Sequence, residues 1–148
     1  MSTMVNAHVD ISQGLDGNPV VLACFDLGDD EIGASARVVA AVAAERYRTV
    51  EMSADDVLGL RELTALSDDL ADLALRPGMQ TVVLRPARLT AYRDAVGHFI
   101  EGRDEADWIR EEDREPLAIV RGLLRSLEDL CADALRAALS GPSASRPL

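Results

Sequence analysis

From Pro116 to Gly141 the chain carries an apolar stripe without a gap, and no other feature narrows its fold as far. Leu117, Val120, Leu124, Leu127, Cys131, Ala134 and Ala138 follow one another at alternating spacings of three and four residues. Leu123 and Leu130 widen the band. This period puts all of them on one side of an α-helix, predicted to open at Pro116 and to close at Gly141-Pro142. Such a stripe has two uses. Paired with another helix, it makes Leu117, Val120, Leu124 and Leu127 an interaction surface and the protein a homodimer. Laid across a sheet it becomes core, the expected use in a single domain of mixed structure. Residues 141–148, "GPSASRPL", are expected to form a disordered tail.

A sheet for that helix is predicted upstream. Val5, Ala7, Val9 and Ile11 alternate with Asn6, His8 and Asp10, the period-two pattern of a half-buried strand. "GLDGN" follows, with Asp16-Gly17 in a turn-forming cluster, and "PVVLACFDL" is apolar on both faces. These two strands are expected to pair as an antiparallel hairpin. "GDDEIGASARVVAAVAAER" has acids where a helix N-terminus favours them and apolar residues at helical spacing. "YRTVEM" is predicted to be a third strand. Ser53 has the character of an N-cap, with Asp56 in the capping-box position, ahead of an apolar face of Leu60, Leu63, Leu66, Leu70 and Leu73. "RPG" ends that helix and "MQTVVL" reads as a fourth strand. Pro86 stands at the first position of a helix presenting Leu89, Tyr92, Val96 and Phe99.

The echo between "TVEMSADDVLGLRE" and "TVVLRPARLTAYRD" then marks two βα units, not a duplicated site. The expected fold is α+β (or α/β): one domain over residues 1–140 with a small mixed four-stranded sheet. A right-handed crossover would make its third and fourth strands parallel. Between Glu101 and Glu115 the chain turns acidic, and a short polar helix anchored by Trp108 and Ile109 is expected beyond Gly102.

Charge and composition set limits on function. The formal charge of −11 opposes binding to nucleic acid or anionic lipid and suits a basic partner. All fifteen basic residues are Arg, which excludes a Schiff-base or P-loop lysine. Aromatic residues are only 3%, so aliphatic side chains must build the core. Cys24 and Cys131 are too few and too far apart for a disulfide framework or a zinc motif, and read as buried thiols of a reducing cytoplasm. No targeting or membrane-spanning segment is evident, so a soluble, cytoplasmic protein is expected.

Four groups of side chains bear on chemistry. Arg85 and Arg88, opposite Asp55 and Asp56 at the carboxyl edge of the predicted parallel pair, would clamp an anionic ligand. Asp26, Asp29, Asp30 and Glu31 cluster without the spacing of a calcium loop, so no metal is assigned to them. His8 beside Asp10 has the pattern of an oriented general base, but no nucleophile accompanies it in sequence. Trp108, alone of its kind and set among charges, is a candidate interaction anchor. "GASAR" around Ser35 lacks the second Gly of a nucleophile elbow. The leading expectation is a non-catalytic interaction or regulatory protein without a cofactor, homodimeric or bound to a basic partner. The alternative is a protein that binds an anionic small molecule, or a small enzyme, using the carboxyl edge of the sheet with Arg85 and Arg88 on the ligand.

Overall fold

The N-terminal hairpin forms as its alternation predicts. The computed structural model describes residues 4–48, 51–106 and 108–144. Strand β1 (Val5–Gln13) pairs antiparallel with β2 (Pro19–Leu27) in a register that sets His8 opposite Cys24 and Gln13 opposite Pro19. Between them the backbone N–H of Gly14 donates to the Asn18 carbonyl at 2.8 Å, and the Asp16 carboxylate accepts from the Asn18 backbone N–H at 3.0 Å. The turn needs a left-handed residue, and Gly17 supplies it at φ 83°.

Helix α1 (Asp29–Tyr47) follows β2, then α2 (Ala54–Ala74), strand β3 (Gln80–Leu84), α3 (Pro86–Asp104) and α4 (Glu111–Ala144). The expected four-stranded mixed sheet is not seen. Among the described residues the sheet has three strands in the order β1-β2-β3, and β3 runs antiparallel to β2, with Phe25 opposite Val82. The missing strand is "YRTVEM". Tyr47 is the last residue of α1 and Arg48 caps it, while Thr49 and Val50 lie outside the described residues. Only Glu51 and Met52 then precede the Ser53 cap, too little chain for a strand. The loss of that strand also explains the direction of β3. One crossover helix reverses the chain and yields a parallel neighbour, whereas two in succession return it to the end of β2 from which it left.

Alternation along the strands gives the sheet an inner and an outer face. Ala23, Phe25, Leu27, Val82 and Leu84 point inward and are buried. Against them pack Val38, Val39 and Val42 of α1, Leu89, Tyr92, Val96 and Phe99 of α3, and the stripe of α4. The Leu60, Leu63, Leu66 and Leu70 face of α2 completes the same core. No helix among the described residues is long and apolar enough to cross a membrane.

Helix α4 differs from its expected bounds at both ends. It begins five residues before Pro116, which therefore sits inside the helix and leaves the Glu112 carbonyl without its usual donor. It continues past Gly141 to Ala144. Gly102 does not break α3, and the expected short helix around Trp108 and Ile109 is a loop.

Candidate functional site

The residues singled out in the sequence fall in separate parts of the fold. Arg85 caps α3 from an exposed position without a side-chain cap bond, one turn from Arg88. Arg88 donates to Glu62 at 3.0 Å and Asp69 at 3.3 Å, so it ties α3 to α2 and is already met by two carboxylates. The shared carboxyl edge that would have joined Arg85 and Arg88 to Asp55 and Asp56 is absent with its strand. The cleft beside Asp55 and Asp56 is lined instead by Arg46, Met52, Gly59 and Asp94. Three carboxylates against one guanidinium give a negative wall, the wrong sign for an anion.

Leu117, Val120 and Leu127 are buried in the chain's own core together with Leu123, Leu130 and Ala134, and Leu124 is partly buried. That stripe is used within the chain. Trp108 lies on the surface. It sits in the loop between α3 and α4 and is 70% exposed. With Ala106, Ile109, Arg114, Leu117, Ala118 and Arg121 it lines a shallow groove along the start of α4. Another side of the same turns meets the N-terminus of α1, where Asp29 and Asp30 face Glu111, Glu112 and Glu115 across a second cleft. One carboxylate of this segment is withdrawn from solvent: Asp113, 6% exposed, accepts from Arg37 at 3.2 Å and Arg103 at 3.5 Å. Arg103 also lies over the Phe99 ring at 3.9 Å, so its cation is held between a carboxylate and an aromatic face.

The outer face of the sheet carries the densest polar arrangement. His8 and Asp10 are two residues apart on β1 and so project from one face, and the hairpin register brings Cys24 in opposite His8. His8 Nε2 is 3.3 Å from Asp10 Oδ2, and the Cys24 thiol donates to the same oxygen at 3.6 Å. The other ring nitrogen, Nδ1, is 2.7 Å from the Asn6 carbonyl. Asn6 sits in the left-handed region at φ 55°, within a β-bulge between Val5 and His8. Its side-chain amide donates to Asp26 at 2.8 Å, and the Thr81 hydroxyl donates to the other Asp26 oxygen at 2.6 Å. A chain of contacts thus runs from β3 through β2 to the His8 ring.

These contacts determine what the cluster can do without a ligand. The hydrogen bond to the Asn6 carbonyl holds the His8 imidazole above its ordinary value, with Asp10 acting in the same direction. Burial and the Asp10 carboxylate push the Cys24 thiol up, and the thiol bonds to Asp10 instead of to His8. The arrangement is therefore not a thiolate–imidazole nucleophile. The expected contact of His8 with Asp10 is present, at 3.3 Å. Ser35 is fully buried and shares a 2.5 Å hydrogen bond with the Tyr92 hydroxyl, so it has no access to a substrate. His98 lies on the surface against Glu45 at 3.2 Å.

Cys24 and Asp26 are the residues that sequence reasoning did not join to His8. The signal was present as His-x-Asp on one strand and a Cys on the next, but only the register connects them. Compared with known proteins, the chain matches no family model, no curated protein and no solved structure.

Proposed function

We propose that the protein is a non-catalytic interaction module that binds a basic protein partner through the loop and helix start around Trp108. The observation that carries this reading is the exposure of Trp108, the only tryptophan of a chain with few aromatic residues. A large amphipathic ring held in water loses little and gains much on docking, and such residues dominate interface energetics. The groove itself holds Arg114 and Arg121, each already paired with a carboxylate, Glu111 and Asp104, so the negative charge that favours a cationic partner lies on the neighbouring face of the same turns. Glu111, Glu112 and Glu115 stand on the adjoining turns of α4 and face Asp29 and Asp30. The whole chain carries −11, which draws a cationic surface in and repels a second acidic one.

A second copy of the chain is the other occupant the fold offers. β1 is an edge strand whose residues are exposed except for a half-buried Val9, and beyond the bulge between Val5 and His8 it contains neither Lys nor Pro to blunt that edge. An antiparallel β1–β1 pairing would yield a homodimer.

One experiment separates the two occupants. Native mass spectrometry is run on the purified protein and on material captured gently from its own host, with wild type and Trp108→Ala in parallel. The basic-partner reading expects a hetero-complex that weakens with rising salt and is lost in Trp108→Ala, whose thermal stability stays within about 0.5 kcal/mol of wild type because the site is exposed. A dimer of the purified chain that persists in Trp108→Ala would favour the edge strand. A hetero-complex indifferent to salt and to Trp108→Ala contradicts the Trp108 reading.

A further inference from the structure

We propose that His8, Asp10 and Cys24 form a three-ligand zinc site on the outer face of the sheet, separate from the Trp108 surface. The donor distances are compatible with one ion. In a tetrahedral zinc centre, Zn–N and Zn–O bonds of about 2.0–2.1 Å and a Zn–S bond of about 2.3 Å put neighbouring N and O about 3.3 Å apart and neighbouring S and O about 3.6 Å apart. The structure has His8 Nε2 at 3.3 Å and Cys24 Sγ at 3.6 Å from the same oxygen, Asp10 Oδ2. The three donor atoms all lie within 4.8 Å of one another. The exposed His8 ring has room to close the remaining side toward the roughly 3.6 Å that S and N require.

The donors and their supports fit zinc better than a hard cation. A thiolate and an imidazole select a transition ion over Mg²⁺ or Ca²⁺, and a carboxylate completes a common set. The Asn6 carbonyl accepts from His8 Nδ1–H, which leaves the Nε2 lone pair for the metal, as the outer contacts of zinc-bound histidines do. Asn6 is in turn tied to Asp26, which Thr81 also holds. Asn, which takes up the left-handed conformation more readily than other side-chain-bearing residues, stands at φ 55° in the bulge, and its carbonyl meets His8 Nδ1. His8 and Asp10 are both exposed, so the fourth position opens to solvent and would take water or a donor atom from a bound molecule.

The test uses cobalt(II) as a spectroscopic probe on the reduced full-length chain, followed by displacement with zinc. A thiolate–cobalt charge-transfer band with one equivalent bound, lost in Cys24→Ser and kept in Cys131→Ser, is the expected result. His8→Ala is expected to weaken binding by more than about 100-fold, and Asn6→Ala by about 10–100-fold. Thermal unfolding of each metal-free variant checks that the fold is kept. If Cys24→Ser fails to fold, the exposed His8→Ala variant decides alone. Absence of the band, its survival in Cys24→Ser, or unchanged affinity in His8→Ala overturns the proposal.

Discussion

Among the described residues, Ser35 and Tyr92 share the most deeply buried side-chain hydrogen bond, joining α1 to α3 beneath the sheet. Burial drives the Tyr92 hydroxyl well above its ordinary value, so it stays neutral and needs a hydrogen-bond partner where water cannot reach. Its ring lies 6.1 Å from that of Phe25, tilted by 42°, which fixes where the hydroxyl points. Ser35→Ala or Tyr92→Phe alone is expected to cost about 1–3 kcal/mol, since each strands the other hydroxyl. The double substitution should cost clearly less than the sum. Urea unfolding of the four proteins measures this, and strict additivity would mean that the two hydroxyls do not depend on each other. In sequence, Ser35 read only as part of an imperfect nucleophile motif, because nothing local shows a partner fifty-seven residues away.

Helix α2 shows how far local pattern reaches at the scale of an element. Ser53 Oγ accepts from the Asp56 backbone N–H at 3.2 Å, and the Asp56 carboxylate accepts from the Ser53 backbone N–H at 3.0 Å, the reciprocal box that the spacing predicts. Ser53→Ala is expected to lower stability by about 1 kcal/mol. The bond to the Ser53 backbone holds Asp56 below the ordinary aspartate value of 3.8, and Asp26 is lowered likewise, first by Thr81 and then by Asn6. For a depressed carboxylate, the folded state gains stability above its unfolded pKa and loses it as pH falls through the folded one. Unfolding midpoints should therefore decline below about pH 4, less steeply in Asp56→Asn. Equal slopes would show that the box carries no pH-dependent stability. The apolar faces of α2, α3 and α4 were legible for the same local reason, since side chains three and four apart share a face. "YRTVEM" was misread because its first residue closes α1 and its last two lead into the Ser53 cap, boundaries that a few apolar residues do not mark in one dimension. The parallel arrangement was inferred from that strand and failed with it.

At the scale of the molecule, the sequence left one question open that packing answers: Leu117, Val120 and Leu127 of α4 face the chain's own core. With these side chains buried, the proposed partner surfaces are Trp108 and the edge of β1, not this stripe. The two candidate sites were unequally legible. Trp108 stood out because a lone aromatic among charges is visible in one dimension. The His8, Asp10 and Cys24 cluster did not, since it depends on strand register, and linear spacing of the cysteines argued against it. Asp113 was hidden in the same way, reading as one of several solvated acids although it bridges Arg37 of α1 and Arg103 of α3.

Because Trp108 is the only tryptophan, its fluorescence reports on the proposed interface without a label. The isolated protein should show the emission of a hydrated indole, readily quenched by iodide. Adding the partner captured from the host should shift that emission to shorter wavelength and protect it from iodide, and high salt should reverse both changes. A partner that binds while leaving the Trp108 emission and quenching as they were would contradict the account.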